Sequence, residues 1–309
     1  MNATDAADHR REPGVSVVVP HYGDPNGTLP LLAMLQQQRY DGPLQVIVAD
    51  DASPEPFPAV PGVELVRRER NGGFGSTVNS GASRARHDLL LILNSDLEIP
   101  DDFVRDLVRE GASWQPAVLS PRVVSPTGHA TWTGRHFPTV RHQFVEWLTP
   151  LARWRDRRLL HEWVGHDTSV TDDAVAVVDW VVGAAMMVPT EHFRAVGGFD
   201  ERFFMNSEEV DLQRRLRAIG IPSVVLPAPV AVHEGGGSSD AGLRRAWLVR
   251  SRLAYADKWG SRRHLQAALT VATALNLLWN AGRRALGRPV HPWRTARQEL
   301  DLINPGRTP

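Results

Sequence analysis

The run Asp88-Leu89-Leu90-Leu91-Ile92-Leu93-Asn94-Ser95-Asp96 constrains this chain most. Five consecutive apolar residues describe a strand buried on both faces, as strands are in parallel sheets covered by helices. The strand stops in three small polar residues, the last an acid. In an open α/β sheet, ligands bind beyond the carboxyl ends of the strands. A carboxylate delivered there is placed to hold a hard cation and, through it, a phosphate. The same residues also suit a plain turn, so the run alone leaves both readings open.

Its surroundings favour the sheet. Val15 to Val19 is a β-branched strand stopped by Pro20. Leu29 to Gln38 reads as a helix with Thr28 as cap. Leu44 to Ala49 is a second strand ending in Asp50-Asp51, and Val63 to Val66 a third. Helices are expected over Ser76 to Arg86 and Asp101 to Trp114, the latter with acids in its first turn where the helix dipole favours them. This alternation predicts a mainly parallel, doubly wound α/β sheet. From Thr127 to Thr171 periodicity fades and Trp, His and Arg accumulate. Order returns with strands at Val175 to Val182 and Ala184 to Val188, and a helix from Glu191. A helix over Glu208 to Ile219 and strands at Ser223 to Leu226 and Val230 to His233 follow.

Composition excludes little else. The 35 basic and 35 acidic residues balance, which gives no reason to expect a nucleic-acid partner, and Lys258 is the only lysine. Without cysteine there are no disulfides or thiolate metal sites. Residues 1–14 are polar and lack the apolar core of a signal peptide; they read as a disordered lead-in. No apolar run reaches the roughly 20 residues of a membrane span, so a cytoplasmic location is expected. Leu265 to Asn280 is nonetheless strongly apolar, with Gln266, Thr270, Thr273, Asn276 and Asn280 in a narrow polar stripe, and with Arg262-Arg263 before it and Arg283-Arg284 after it. Such a helix suits a membrane interface or packing on the domain or on a second subunit.

Five stations carry candidate chemistry. Asp50-Asp51 ends a strand and is placed to accept hydrogen bonds from a base or ribose, or to make a turn. Asn71 to Gly81 leads three glycines into a helix, which lets backbone N–H groups approach an anion, although it lacks the Gly-Lys-Ser/Thr ending of a Walker loop. Asn94-Ser95-Asp96 is the third. The fourth, Asn206-Ser207-Glu208-Glu209-Val210-Asp211, follows the Gly- and Phe-rich stretch 197–205. Its acids suit a general base or a capping box with Asn206 as N-cap and Glu209 three residues on. The fifth is His233, followed by Glu234 and a Gly turn.

Together and in this order, over residues 15 to 240, the stations resemble the family 2 inverting glycosyltransferases, most closely a rhamnosyltransferase-like branch of cell-wall and surface-polysaccharide assembly. The resemblance also draws on Val17 to Pro20, Gly183-Ala184-Ala185-Met186-Met187 and Gly197-Gly198-Phe199-Asp200-Glu201. It implies a GT-A fold over 15–240, with a nucleotide-binding half at 15–125 and an acceptor and catalytic half at 126–240; residues 241–309 read separately as a helical extension, whose Leu265 to Asn280 helix meets either a membrane surface or protein. The implied donor is a nucleoside-diphosphate sugar, dTDP-rhamnose first, with UDP-linked sugars as alternatives. Pro20, Tyr22, Asp50, Asp51, Asn71, Gly73, Phe74, Gly75, Asn79, Asn94, Ser95, Gly183 and Ala184 would line the donor. Asp96 and His233 would hold Mg²⁺ or Mn²⁺. Glu209 would be the base, with Glu208 the runner-up. Asp211, Trp132 and Arg135 would face a glycan or polyprenyl-linked acceptor. Peripheral contact with the inner face of the plasma membrane and homo-oligomerisation are further expectations. Two departures stand out: Asn94 replaces the first acid of the family's Asp-X-Asp element, and Glu209 replaces the usual Asp. They leave a catalytically silent sugar-binding relative as the main rival, with a nucleotidyltransferase behind it.

Overall fold

The computed structural model describes residues 12–304 except 130, 155–156, 234 and 236–240; of residue 241 only the backbone is described. Most of the expected lead-in, and Glu234, Gly236 and Gly237 of the fifth station, lie outside the described residues.

The first half alternates as its patterning predicts: β1 (Val15–His21), α1 (Leu29–Gln36), β2 (Leu44–Asp50), β3 (Val63–Arg67), α2 (Phe74–Ala82), β4 (Leu89–Leu93), the two-residue β5 (Leu97–Glu98), α3 (Phe103–Gly111) and β6 (Val118–Val124). The aperiodic segment holds β7 (Gly134–Arg135), α4 (Val140–Trp147) and α5 (Arg158–Trp163). The second half contains β8 (Ala176–Val178), β9 (Trp180–Val181), β10 (Ala185–Pro189), α6 (Thr190–Ala195), α7 (Glu208–Ala218), β11 (Ser223–His233), α8 (Ala241–Trp259), α9 (Arg262–Ala285) and α10 (Pro292–Ile303).

The main sheet runs β3-β2-β1-β4-β10-β6-β11-β5, with β8 beside β11. Strands β1 to β4 are parallel, but β10 enters antiparallel between β4 and β6. Leu90 to Leu93 are 0% exposed because they divide between two cores: Leu91 and Leu93 pack with α1 and α3, Leu90 and Ile92 with α2 and α7. That division is why the run needs no polar alternation. The expected strand over 175–182 is broken into β8 and β9, and the two expected strands after Ser223 form one strand with a register shift between Val225 and Val230.

The direction of β10 positions the site. Ala185 lies opposite Leu93, so the loop entering β10 arrives at the carboxyl end of β4. Glutamine 213 fixes α7 beneath that edge: its side chain accepts from Val181 N and donates to Val181 O, both at 2.8 Å.

Residues beyond 240 share cores with the rest. Tyr255 packs with Trp180, Phe203 and Val210, and α9 packs with Trp147 of α4. Three members of the polar stripe of α9, Thr273, Asn276 and Asn280, face this interior, whereas Thr270 is exposed. Trp147 Nε1 donates to Thr273 Oγ1 (2.9 Å), Asn276 Nδ2 to Trp147 O (2.9 Å) and Thr273 Oγ1 to Glu299 Oε2 (3.0 Å).

Candidate active site

The third and fifth stations meet through β5. Its pairing with β11 sets Leu97 opposite His233, which brings Asp96 Oδ1 within 3.1 Å of His233 Nε2, while Asn94 Nδ2 lies 3.4 Å from the same nitrogen. The backbone N–H of Asn94 donates to Ala184 O at 2.8 Å. The Asp96 side chain keeps 33% of its exposure. Burial works against its charge, but the hydrogen bond and charge of His233 and the N–H groups of Asp96 and Gly235 outweigh it. The carboxyl therefore sits below the ordinary aspartate range. Ser95 is half-buried in the same turn.

The fourth station is built on the second. Phe74 N donates to Phe204 O (3.1 Å), and a Cβ on Gly73 would lie 1.8 Å from that oxygen, so only glycine permits the approach. A Cβ added at Gly75 would lie 2.9 Å from Phe199 Cβ, and Phe74 meets Phe199 edge-on. Asn206 and Ser207 then take consecutive left-handed conformations, φ 71° and 69°, and α7 starts at Glu208 with no side-chain cap. The capping-box expectation fails here: Ser207 is the N-cap, and Glu209 is the second helical residue. Each glutamate leaves one buried oxygen, Oε2, without a hydrogen-bond partner. Burial pushes Glu208 well above the ordinary glutamate range, and the Glu209 charge adds to it. Burial also raises Glu209, opposed by backbone N–H groups at the helix start and by the Arg135 guanidinium. Glu208 is buried against α2, whereas Glu209 is half-buried beside Gly183. Through Gly183 and Ala184 the glutamate pair thus adjoins Asn94 and Asp96.

Four candidates are engaged by the fold itself. Asp50 accepts from Ser53 N (2.9 Å), Phe57 N (3.3 Å) and Arg67. Asp51 accepts from Gly72 N (2.9 Å) and Gly73 N (2.8 Å) and forms an ion pair with Arg68 (Nε–Oδ1 2.9 Å). Both are buried, so a base or ribose would have to displace these partners; Asp51 braces the glycine loop, and Asp50 the turn that follows β2. Asn79 Oδ1 accepts from Phe199 N (2.8 Å) and its amide donates to Phe199 O (2.9 Å); it fixes the Gly-Phe turn. Asp211 is 0% exposed, accepting from Trp259 Nε1 (2.7 Å) and Arg215 Nε (2.9 Å) and pairing with Lys258 (2.6 Å). No open face remains for an acceptor there.

Other candidates face the site's edges. Tyr22 stands 52% exposed beyond β1, and Pro20 is half-buried within that strand. Asn71 accepts from Gly73 N (3.2 Å). Trp132, at φ 54°, stacks on His161 (4.3 Å) and accepts from Arg135 Nε through its carbonyl (3.2 Å). Arg135 interacts electrostatically with Glu146 and Glu209. Sequence reading missed Lys258 as a strut: it also pairs with Asp200 at 2.7 Å, joining α8 to the fourth station and to the Gly- and Phe-rich stretch before it, and its being the sole lysine was the available signal.

The profile described as Glycosyl transferase family 2 matches residues 16–170. Rhamnosyltransferase WbbL of Escherichia coli (strain K12) is 35% identical over 194 residues, 59% of this chain and 69% of that protein. N-acetylglucosaminyl-diphospho-decaprenol L-rhamnosyltransferase of Mycobacterium tuberculosis is 26% identical over 222 residues, 64% of this chain and 68% of that protein. Among solved structures, mannosyltransferase PcManGT from Pyrobaculum calidifontis, in complex with GDP-Man and Mn²⁺, superposes with a TM-score of 0.54 at 18% identity, over 95% of this chain and 86% of that one. GalNAc-T7 with UDP, GalNAc and Mn²⁺ gives 0.58 at 11% identity, over 96% and 57%. The fold is GT-A, and the chain belongs to glycosyl transferase family 2.

Proposed function

We propose that this glycosyltransferase moves a sugar, rhamnose first, from a nucleoside diphosphate to a hydroxyl of a polyprenyl-linked glycan, with inversion. The observation that carries the reading is the glutamate pair at the start of α7, each with a buried unpartnered oxygen, linked through Gly183 and Ala184 to the turn that bears Asp96 and its partner His233. The rhamnosyl and decaprenol-linked chemistry in the relatives' names supports the donor and acceptor classes.

Burial and the neighbouring Glu209 charge push Glu208 well above the ordinary glutamate range, which disfavours it as an ionised base. Glu209, which Arg135 holds lower, is the base. It takes the proton of the acceptor hydroxyl as that oxygen forms a bond to the anomeric carbon. The bond from that carbon to the diphosphate oxygen breaks, its electron pair leaves with the nucleoside diphosphate, and one displacement inverts the centre.

Asp96 and His233 fit a divalent ion. One carboxylate held ionised, with one imidazole, suits a cation that takes its remaining ligands from phosphates and water; among the described residues no third carboxylate or imidazole joins them. Such an ion, when bound, neutralises charge on the departing diphosphate. The test is transfer from radiolabelled dTDP-rhamnose and UDP-sugars to a polyprenyl-diphosphate glycan, with the product's anomeric configuration read by NMR. Retention of configuration, or undiminished transfer by Glu209→Gln, would overturn the mechanism.

A further inference from the structure

Helix α9 buries Leu265, Leu269 and Ala272 in its first half, but farther along it buries polar residues and exposes apolar ones. Its polar residues Thr273, Asn276 and Asn280 are buried at 2%, 1% and 7%, while Leu278, Val271, Leu275 and Trp279 stand 71%, 54%, 44% and 36% exposed. From His264 to Gly282 the helix carries no Asp, Glu, Lys or Arg. A solvent-facing helix surface ordinarily carries the charges and hides the apolar stripe. Here the inward polar groups are held by Trp147, Thr149 and Glu299, with Thr149 N donating to Asn276 Oδ1 at 2.8 Å. The helix therefore cannot roll its apolar face inward without breaking that network. A continuous exposed apolar face of several turns marks a contact surface.

The charges around the face say what covers it. Arg262 and Arg263 stand at one end, and Arg283, Arg284 and Arg288 at the other; none of the five has a carboxylate partner among the described residues. Aromatics flank the face as well. Arg153 lies over the rings of Trp154 (4.2 Å) and Trp279 (5.3 Å), and Trp293 is 78% exposed. Beside the arginine-rich end opens a cleft of about 630 Å³ lined in part by Arg245, Arg252, Arg283 and Arg294. The first two pair with Glu299 and Glu146; Arg283 and Arg294 have no such pair among the described residues. An uncharged stretch roughly 28 Å long, with exposed apolar side chains from Val271 to Trp279, tryptophans beside it and arginines at its ends, matches the layering of a bilayer surface: acyl chains along the strip, anionic headgroups at the ends. No described helix is long and apolar enough to cross a membrane.

We infer that the apolar face of α9 lies in the surface of an anionic phospholipid bilayer, holding the enzyme on the membrane in the plane of that helix. The reading does not depend on which sugar is transferred.

Co-sedimentation of the full chain with phosphatidylglycerol-containing vesicles, against phosphatidylcholine vesicles, tests it. The wild type should pellet with the anionic vesicles, less so in high salt, and little with the neutral ones. The double variant Leu275→Asp/Leu278→Asp should reduce pelleting by about tenfold or more, with an unchanged circular-dichroism spectrum, because both side chains already face outward. Arg262→Ser/Arg263→Ser should weaken binding to anionic vesicles and leave neutral ones unaffected. Light scattering of the vesicle-free protein supplies the opposing outcome. If the wild type stays in the supernatant with anionic vesicles at low salt, or if it is a dimer that the double aspartate variant dissociates while vesicle binding is absent, the membrane assignment falls; the latter result places a second copy on the face.

Discussion

Two sets of carboxylates sit at the business edge of this sheet, and they differ in what their oxygens already do. Asp50, Asp51 and Asp211 are buried and saturated by arginines, a lysine, an indole and backbone N–H groups. Asp96, Glu208 and Glu209 are less fully engaged: Asp96 keeps 33% of its side-chain exposure beside His233 and two backbone N–H groups, and each glutamate keeps an oxygen without a partner. Position at a strand or helix end is common to both sets. What separates them is unmet hydrogen-bonding demand, which the fold tolerates only at a cost and which a substrate or ion can satisfy.

That contrast predicts how each set fails when mutated. Glu209→Gln should cut turnover by roughly 10²–10⁴-fold and leave the melting temperature unchanged or raised, since a carboxyl that burial disfavours is being neutralised. A fall in melting temperature larger than the fall in rate would move Glu209 into the other set. Asp96→Ala should give the next largest loss of turnover, with a raised divalent-ion requirement measured in the same assay. Asp211→Ala should act the other way. It leaves Arg215 without its carboxylate and Lys258 with Asp200 alone, and should remove about 3–5 kcal/mol of stability, seen in urea unfolding, before it changes the rate per folded molecule.

Smaller effects sharpen the boundary. Glu209 must be ionised to accept a proton, and burial raises its folded-state value, so activity is present above that value and lost as pH falls through it. Arg135→Gln removes the charge that opposes the rise, and the acid limb of the pH–rate profile should move to higher pH; a limb that stays put would sink the Arg135–Glu209 coupling. Asn94→Ala should cost about tenfold or less, because Asn94 supplies no charge and touches His233 only at 3.4 Å.

Much of this was legible in order along the chain. The Leu89–Leu93 run read correctly as a strand buried on both faces, because its side chains divide between two cores. The stations read as one family for a similar reason: each lies at an element end, where composition changes sharply. What stayed hidden depended on partners far away in sequence. Asp50 gave no sign that Arg67 and Phe57 would close over it, and Asn79 no sign of Phe199, 120 residues on. The capping box failed because Asn206 and Ser207 are left-handed, a backbone state that residue type alone does not announce. The two-residue β5 that brings Asp96 to His233 is too short to have a period. The polar stripe of α9 was visible, but which way it turned depended on Trp147 and Glu299.

Lys258 holds the carboxylates of Asp200 and Asp211 together from the end of α8, and it is the only lysine in the chain. Amine-directed reagents, which decorate many sites on most proteins, have here a single side chain to find. Acylating it removes the positive charge that joins α8 to the Gly-Phe-Asp turn and to the helix bearing the glutamates. The rate at which an acetylating reagent modifies that residue, followed by mass spectrometry, therefore reports how often this joint opens. The protein carries its own built-in chemical clock for the breathing of its catalytic half.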